Sequence, residues 1–154
     1  MKIESGQVRK RPERFTGQEP STILDLDLDP LVRAAGAVRY SLTAQRFADE
    51  LLVCGVLEVE ISSRCARCGE SVSQTIQDGT FMRSYPLTAA NESIDLTPDI
   101  REAILLALPM SFLCSAQCRG LCPDCGANLN KAPCKCGRPG KSAAWGALDQ
   151  LKFK

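Results

Sequence analysis

The chain has 154 residues and a formal net charge of +1, with 24% charged and 44% hydrophobic residues. That is enough apolar content for a folded core, and the charge is too balanced for a polybasic binder or a disordered acidic chain. Nine cysteines are accompanied by no histidine, which excludes Ser-His and Cys-His nucleophile pairs, a His general base and every His-ligated metal site.

The first residues, Met1-Lys2-Ile3-Glu4-Ser5-Gly6 followed by Arg9-Lys10-Arg11, carry no apolar segment of the kind a secretory signal needs. The longest apolar run, Leu51 to Leu57, is far shorter than the roughly 20 residues of a membrane span. Export is not expected, and a cytoplasmic location is. In a reducing compartment clustered cysteines read as metal ligands rather than disulfides. Charge is unevenly spread: residues 1–14 sum to +3, residues 119–154 to +5 and the middle to −7. A polyanion would therefore be met at the ends and a basic protein in the middle.

In chain order, residues 1–22 read as a flexible basic arm, with Pro12, Gly17 and Pro20 and few large apolar groups. Leu24-Asp25-Leu26-Asp27-Leu28-Asp29 alternates strictly and predicts a strand ended by Pro30. Val38, Tyr40, Leu42 and Ala44 alternate with polar residues and predict a second strand; Leu51 to Ile61 predicts a third, and Val72 to Met82 a fourth with a weaker pattern. Sequential strands with short links favour an antiparallel sheet or small barrel. A helix follows: Thr97 as N-cap, Pro98 at the first helical position, Asp99 near the positive end and Pro109 as the stop. Its face of Ile100, Ala103, Ile104, Ala107 and Leu108 should pack on the sheet, leaving Arg101 and Glu102 towards solvent. The fold class is α+β: a sheet-plus-helix body over residues 23–113 and a Cys-rich module with a tail over residues 114–154, packed as one unit.

Eight cysteines form four close pairs: Cys65/Cys68, Cys114/Cys118, Cys122/Cys125 and Cys134/Cys136. Cys-x-x-Cys-Gly, at Cys65 to Gly69 and again at Cys122 to Gly126, is the spacing of a metal knuckle, in which backbone amides point at the sulfurs and glycine accepts the left-handed turn. An all-sulfur donor set points to zinc, two structural ions in all, because four thiolates leave no open coordination position. Closing the shorter loops first favours Cys122, Cys125, Cys134 and Cys136 as one ribbon-like site and Cys65, Cys68, Cys114 and Cys118 as the other. An iron–sulfur cluster is the alternative occupant, and a thioredoxin-like role would need a strand-to-helix setting that neither knuckle has. Cys54 is left over and reads as a small buried hydrophobe.

Other patterns are weaker. Asp25-x-Asp27-x-Asp29 has Pro30 where a calcium loop needs Gly and Gly36 where it needs Glu. Gly140-Lys141-Ser142 lacks the upstream glycine of a phosphate-binding loop. Lys131, Lys135, Arg138 and Lys141 form a basic run without an acid, a candidate surface for nucleic-acid phosphates or simply a solvated face. Trp145, Leu148 and Leu151 have helical spacing and read as core-covering residues, with base stacking by Trp145 as the alternative.

The helix Arg101-Glu102-Ala103-Ile104-Leu105-Leu106-Ala107-Leu108-Pro109, followed by Cys114-x-x-x-Cys118-Arg119-Gly120-Leu121-Cys122-Pro123-x-Cys125-Gly126-x-Asn128-Leu129-Asn130, resembles the YceD family of large ribosomal RNA subunit accumulation proteins. The earlier Cys65-x-Arg67-Cys68 adds to the resemblance, which covers residues 20–151. It implies a bacterial or plastid ribosome biogenesis factor needed for accumulation of large-subunit (23S) ribosomal RNA, and it brings no catalytic residues. The partner would be that RNA, a precursor particle, or a ribosomal or assembly protein. Asn128 and Asn130 are expected to shape the ribbon through side-chain to backbone hydrogen bonds. Two readings follow: a non-enzymatic assembly factor, or a protein-interaction adaptor without RNA contact. A thiol oxidoreductase is disfavoured by the missing histidine and the closed thiolate sets.

Overall fold

A computed structural model describes residues 1–4, 6, 8, 11–26, 29–87 and 93–136. In chain order it contains β1 (Lys2–Glu4), β2 (Glu13–Glu19), a single 3-10 turn (Ser21–Leu24), β3 (Val32–Ala34), β4 (Val38–Phe47), β5 (Glu50–Arg64), β6 (Ser71–Pro86), β7 (Ser93–Asp95) and α1 (Thr97–Ala107). The architecture is α+β with every strand pair antiparallel.

The long β5 organises the sheet. It pairs with β6 along its whole length on one side, and with β4 and then β3 in succession on the other, while β2 adds the far edge beyond β4. Alternation does the sorting: Leu51, Val53, Leu57, Val59 and Ile61 of β5 and Val38, Leu42 and Ala44 of β4 are buried on one face. Ile100, Ala103 and Ile104 of α1 complete that core, together with Leu24 of the 3-10 turn and Leu96 ahead of the helix. β6 carries a bulge, with the register shifting where Val56 faces Gly79 and Thr80. Asp78 Oδ1 accepts from Thr80 N at 2.8 Å and from Thr80 Oγ1 at 2.7 Å, which holds the extra residue in place. The bulge changes the parity of the strand, so Ile76 before it and Phe81 after it both reach the core. This is why the alternation of the fourth predicted strand is weak.

Leu24 to Asp29 is not a strand: Leu24 ends the 3-10 turn, Asp25 has φ 52°, and Asp29 Oδ1 accepts from Leu31 N and Val32 N. Aspartates between two prolines capture local backbone amides in turns in preference to a ladder; Asp27 and Leu28 lie outside the described residues. Residues 1–22 are not an unstructured arm either, since β1 pairs with β7 and β2 pairs with β4 from Glu13↔Ala44 to Glu19↔Val38. An edge strand needs only its backbone to join a ladder, and Ile3 and Val8 supply buried side chains that the sparse apolar content concealed.

At the helix start Leu96, not Thr97, is the N-cap residue and gives no side-chain cap; Thr97 N instead donates to Asp95 Oδ1 at 3.0 Å. Asp99 in the first turn accepts from Tyr85 Oη at 2.5 Å and pairs with Arg83 at 3.3 Å, tying α1 to β6. Arg101 pairs with Asp25 and Glu102 with Arg83 at the surface. Among the described residues no helix is long and apolar enough to cross a membrane.

Candidate metal centres

The two knuckles are built alike. At the first, in the turn between β5 and β6, Cys65 N donates to Glu70 O at 2.8 Å and Gly69 N to Cys65 O at 2.9 Å. At the second, Cys122 N donates to Ala127 O at 2.8 Å and Gly126 N to Cys122 O at 2.9 Å. Gly69 and Gly126 close both turns at φ 72° and 71°, the left-handed region that a side chain disfavours.

The structure brings all eight cysteines of the close pairs into two groups of four that could hold a metal ion. Cys65, Cys68, Cys114 and Cys118 form one, Cys122, Cys125, Cys134 and Cys136 the other, and within each the sulfurs lie within 4.8 Å of one another. This is the pairing selected by loop closure. Cys65 and Cys118 sulfurs are 3.8 Å apart and those of Cys68 and Cys114 3.6 Å. A tetrahedral zinc–thiolate site with bonds near 2.3 Å has sulfurs about 3.8 Å apart, so the donor set and its spacing fit such an ion. All nine cysteines are unbridged. Cys54 belongs to neither group; it is half-buried rather than buried, facing Met82 across the β5–β6 ladder.

The backbone favours thiolates at particular sulfurs. Cys65 is lowered to about 6, first by the amide of Cys114 and then by those of Cys68 and Arg67. Cys122 is lowered to about 7 by the amides of Cys125 and Asp124. Cys118 is lowered chiefly by the side chain of Asn130. Cys114 is pushed up to about 12 by the Cys118 and Cys68 thiols, and Cys136 to about 12 by that of Cys125. With no cation between them, four thiols cannot all ionise; a divalent ion reverses that balance.

The second loop also supports the first site. Asn130 Nδ2 donates to Cys118 Sγ at 3.2 Å and to Asn128 Oδ1 at 3.0 Å, while Asn130 Oδ1 accepts from Arg119 N at 2.8 Å. Asn128 Nδ2 donates to Glu70 Oε1 at 3.2 Å, beside the first knuckle, and Lys131 Nζ pairs with the same oxygen at 2.7 Å. Those two partners hold the Glu70 carboxyl below its usual range. The backbone adds Leu121 N to Arg67 O at 3.1 Å and Ala66 N to Phe112 O at 2.8 Å, and Arg67 Nη1 donates to Cys118 O at 3.1 Å. The asparagine bonds to backbone were expected; the bond to a ligand sulfur was not, and Asn-x-Asn after a knuckle is the only signal that could have pointed to it.

Of the four basic residues considered for nucleic acid, two lie among the described residues and two do not. Lys131 is committed to Glu70, Lys135 sits between Cys134 and Cys136, and Arg138 and Lys141 lie outside the described residues. So do Gly140, Ser142, Trp145, Leu148 and Leu151.

These features define an α+β protein in which one end of an antiparallel sheet carries two tetrathiol sites laced together by side chains. Residues 82–152 match the family described as "Large ribosomal RNA subunit accumulation protein YceD". A chloroplastic protein of Arabidopsis thaliana named "Large ribosomal RNA subunit accumulation protein YCED homolog 1" is 39% identical over 155 residues, covering 75% of this chain and 48% of that protein. An uncharacterized protein of Mycobacterium tuberculosis is 32% identical over 106 residues, covering 60% of this chain and 51% of that protein. These matches support membership of the YceD family. The chain spans about half the length of these curated relatives, and no solved structure matches it.

Proposed function

We propose that this protein is a non-enzymatic ribosome biogenesis factor that supports accumulation of large-subunit ribosomal RNA, with one structural zinc ion in each tetrathiol site. The observation that carries the reading is the family match over residues 82–152, which takes in the second tetrathiol set together with Cys114 and Cys118 of the first. Four thiolates saturate a tetrahedral ion, and the sequence supplies no histidine to act as a base. The zinc therefore holds the Cys114–Cys136 segment against the sheet, and function lies in the surface so presented. Eight thiolates and two divalent ions take the net charge from +1 to about −3, so contact with RNA is local rather than spread over the surface. The test is deletion in the native host with measurement of the large- to small-subunit ribosomal RNA ratio. The reading expects a fall that the wild-type gene restores and Cys68→Ser does not; an unchanged ratio overturns it.

A second reading, an adaptor for a ribosomal or assembly protein, is favoured by Leu106, 75% exposed in the wall of the α1–β6 groove, and by Met110, fully exposed just past the helix. Association with large-subunit precursors that survives RNase would favour the adaptor, and loss on RNase treatment would favour direct RNA contact.

A further inference from the structure

The sheet carries a second polar feature away from the sulfurs. Where β3, β5 and β6 run side by side, the ladder sets Arg33 opposite Ser62 and Arg64 opposite Ser71, and Ser62 opposite Ser73. Alternation puts Arg33, Ser62, Arg64 and Ser71 on the face turned away from the core. They line a cavity of about 240 Å³ together with Leu31 and Ser63. Among the described residues neither Arg33 nor Arg64 has an ion pair or a side-chain hydrogen bond. The other sheet arginines are engaged: Arg39 with Glu58, Arg83 with Asp99 and Glu102, Arg14 with Ser41, and Arg46 with the Ala48 carbonyl. Asp29 Oδ1 is occupied by the amides of Leu31 and Val32, and Glu60, two positions before Ser62 on the same face, makes no ion pair with either arginine.

We infer that this cavity binds a phosphodiester group of RNA. Two guanidinium forks and hydroxyl donors are the chemistry that grips a phosphate, and the volume accommodates one. Leu31, 61% exposed at the wall, offers an apolar surface to a ribose or base, which a free phosphate ion would not use. The site lies on the strands that end at the first knuckle, since Arg64 immediately precedes Cys65. A metal-built platform and a phosphate grip thus share one end of the sheet. This inference rests on the proposal that the protein meets large-subunit ribosomal RNA, and it moves the contact from the C-terminal basic run to the sheet.

The test uses the full zinc-loaded chain and a fluorescent single-stranded RNA oligonucleotide, with binding followed by anisotropy over a series of potassium chloride concentrations. Removing the grip on that one phosphate in Arg33→Gln/Arg64→Gln should reduce the slope of log affinity against log salt by about 0.7 and weaken binding about tenfold at low salt. Arg46→Gln, at the other end of the sheet, should keep the wild-type slope. Both arginines are exposed, so the variant should fold, which its thermal melt checks; amide shifts at Ser62 and Ser71 on adding RNA to wild type give a readout free of mutation. An unchanged slope with no shift at those serines overturns the inference and leaves the proposed function standing. Displacement of the RNA by inorganic phosphate at matched ionic strength would make this a free-anion site and also overturn it. No RNA binding by the wild type would remove both the inference and the direct-contact reading.

Discussion

Replacing Asn130 by alanine should loosen the metal in the first tetrathiol site although Asn130 is not a ligand. Its Nδ2 lies 3.2 Å from Cys118 Sγ and its Oδ1 2.8 Å from Arg119 N, so the substitution removes a donor to a thiolate and an anchor for the segment between the two sites. Changes to such outer partners lower metal affinity about 10- to 100-fold, which is about 1.4 to 2.8 kcal/mol. Asn130 is exposed, so water can replace part of what is lost, and the effect should fall at the lower end, about tenfold. Asn130→Asp should do worse than alanine, because it sets a carboxylate beside an anionic sulfur. The assay is chelator competition on cadmium-loaded protein, with the two sites followed as separate cadmium resonances. The reasoning predicts that the Cys65/Cys68/Cys114/Cys118 resonance is lost at a lower chelator concentration than in wild type. An unchanged midpoint for that resonance, or a loss confined to the other site, would refute it.

Three further outcomes follow from the fold. A Cβ at Gly55 would lie 2.2 Å from Ser41 O and 2.8 Å from Leu42 Cα; both obstacles are backbone, so Gly55→Ala should destabilise by about 3 kcal/mol, the upper end of the usual cost of overpacking, read as a shift in the urea midpoint. Burial and the hydrogen bond to Asp99 hold the Tyr85 phenol above its ordinary 10. Its contribution to stability is therefore full below pH 10 and lost as pH rises beyond it, and Tyr85→Phe should flatten that alkaline fall in a series of thermal melts. Glu70→Gln removes the charge that Lys131 meets at 2.7 Å; the pair is exposed, so global stability should barely move, and backbone hydrogen exchange at Asn128 to Lys131 should quicken.

What could be read from the chain follows from the range of each interaction. β4 and β5 were legible because one face is buried and the other wet, which writes a period of two into Val38 to Ala44 and Leu51 to Ile61. The helix was legible through Pro98, Asp99 and Pro109, although its cap lies one residue earlier than expected. β6 was blurred by the bulge at Gly79 and Thr80, which reverses parity midway. Leu24 to Asp29 misled because alternation is also what aspartates that cap turns can produce when leucines between them cover a core. β1 and β2 were hidden because their partners, β7 and β4, are distant in sequence and the contact is largely backbone. The cysteine grouping was accessible from spacing and loop closure alone. The bonds that lace the sites together, Asn130 to Cys118 and Lys131 to Glu70, were not, since each joins segments whose proximity only the folded chain creates.

The most direct test of the account is elemental analysis of the protein purified without added metal, paired with its mass under native and denaturing conditions. The account predicts two zinc ions per chain, one for each group of four cysteines, with both lost together with the fold of the Cys114–Cys136 segment on chelation. A chain carrying no metal, one with a disulfide between Cys65 and Cys118 or between Cys68 and Cys114, or one holding iron with visible absorbance would contradict it.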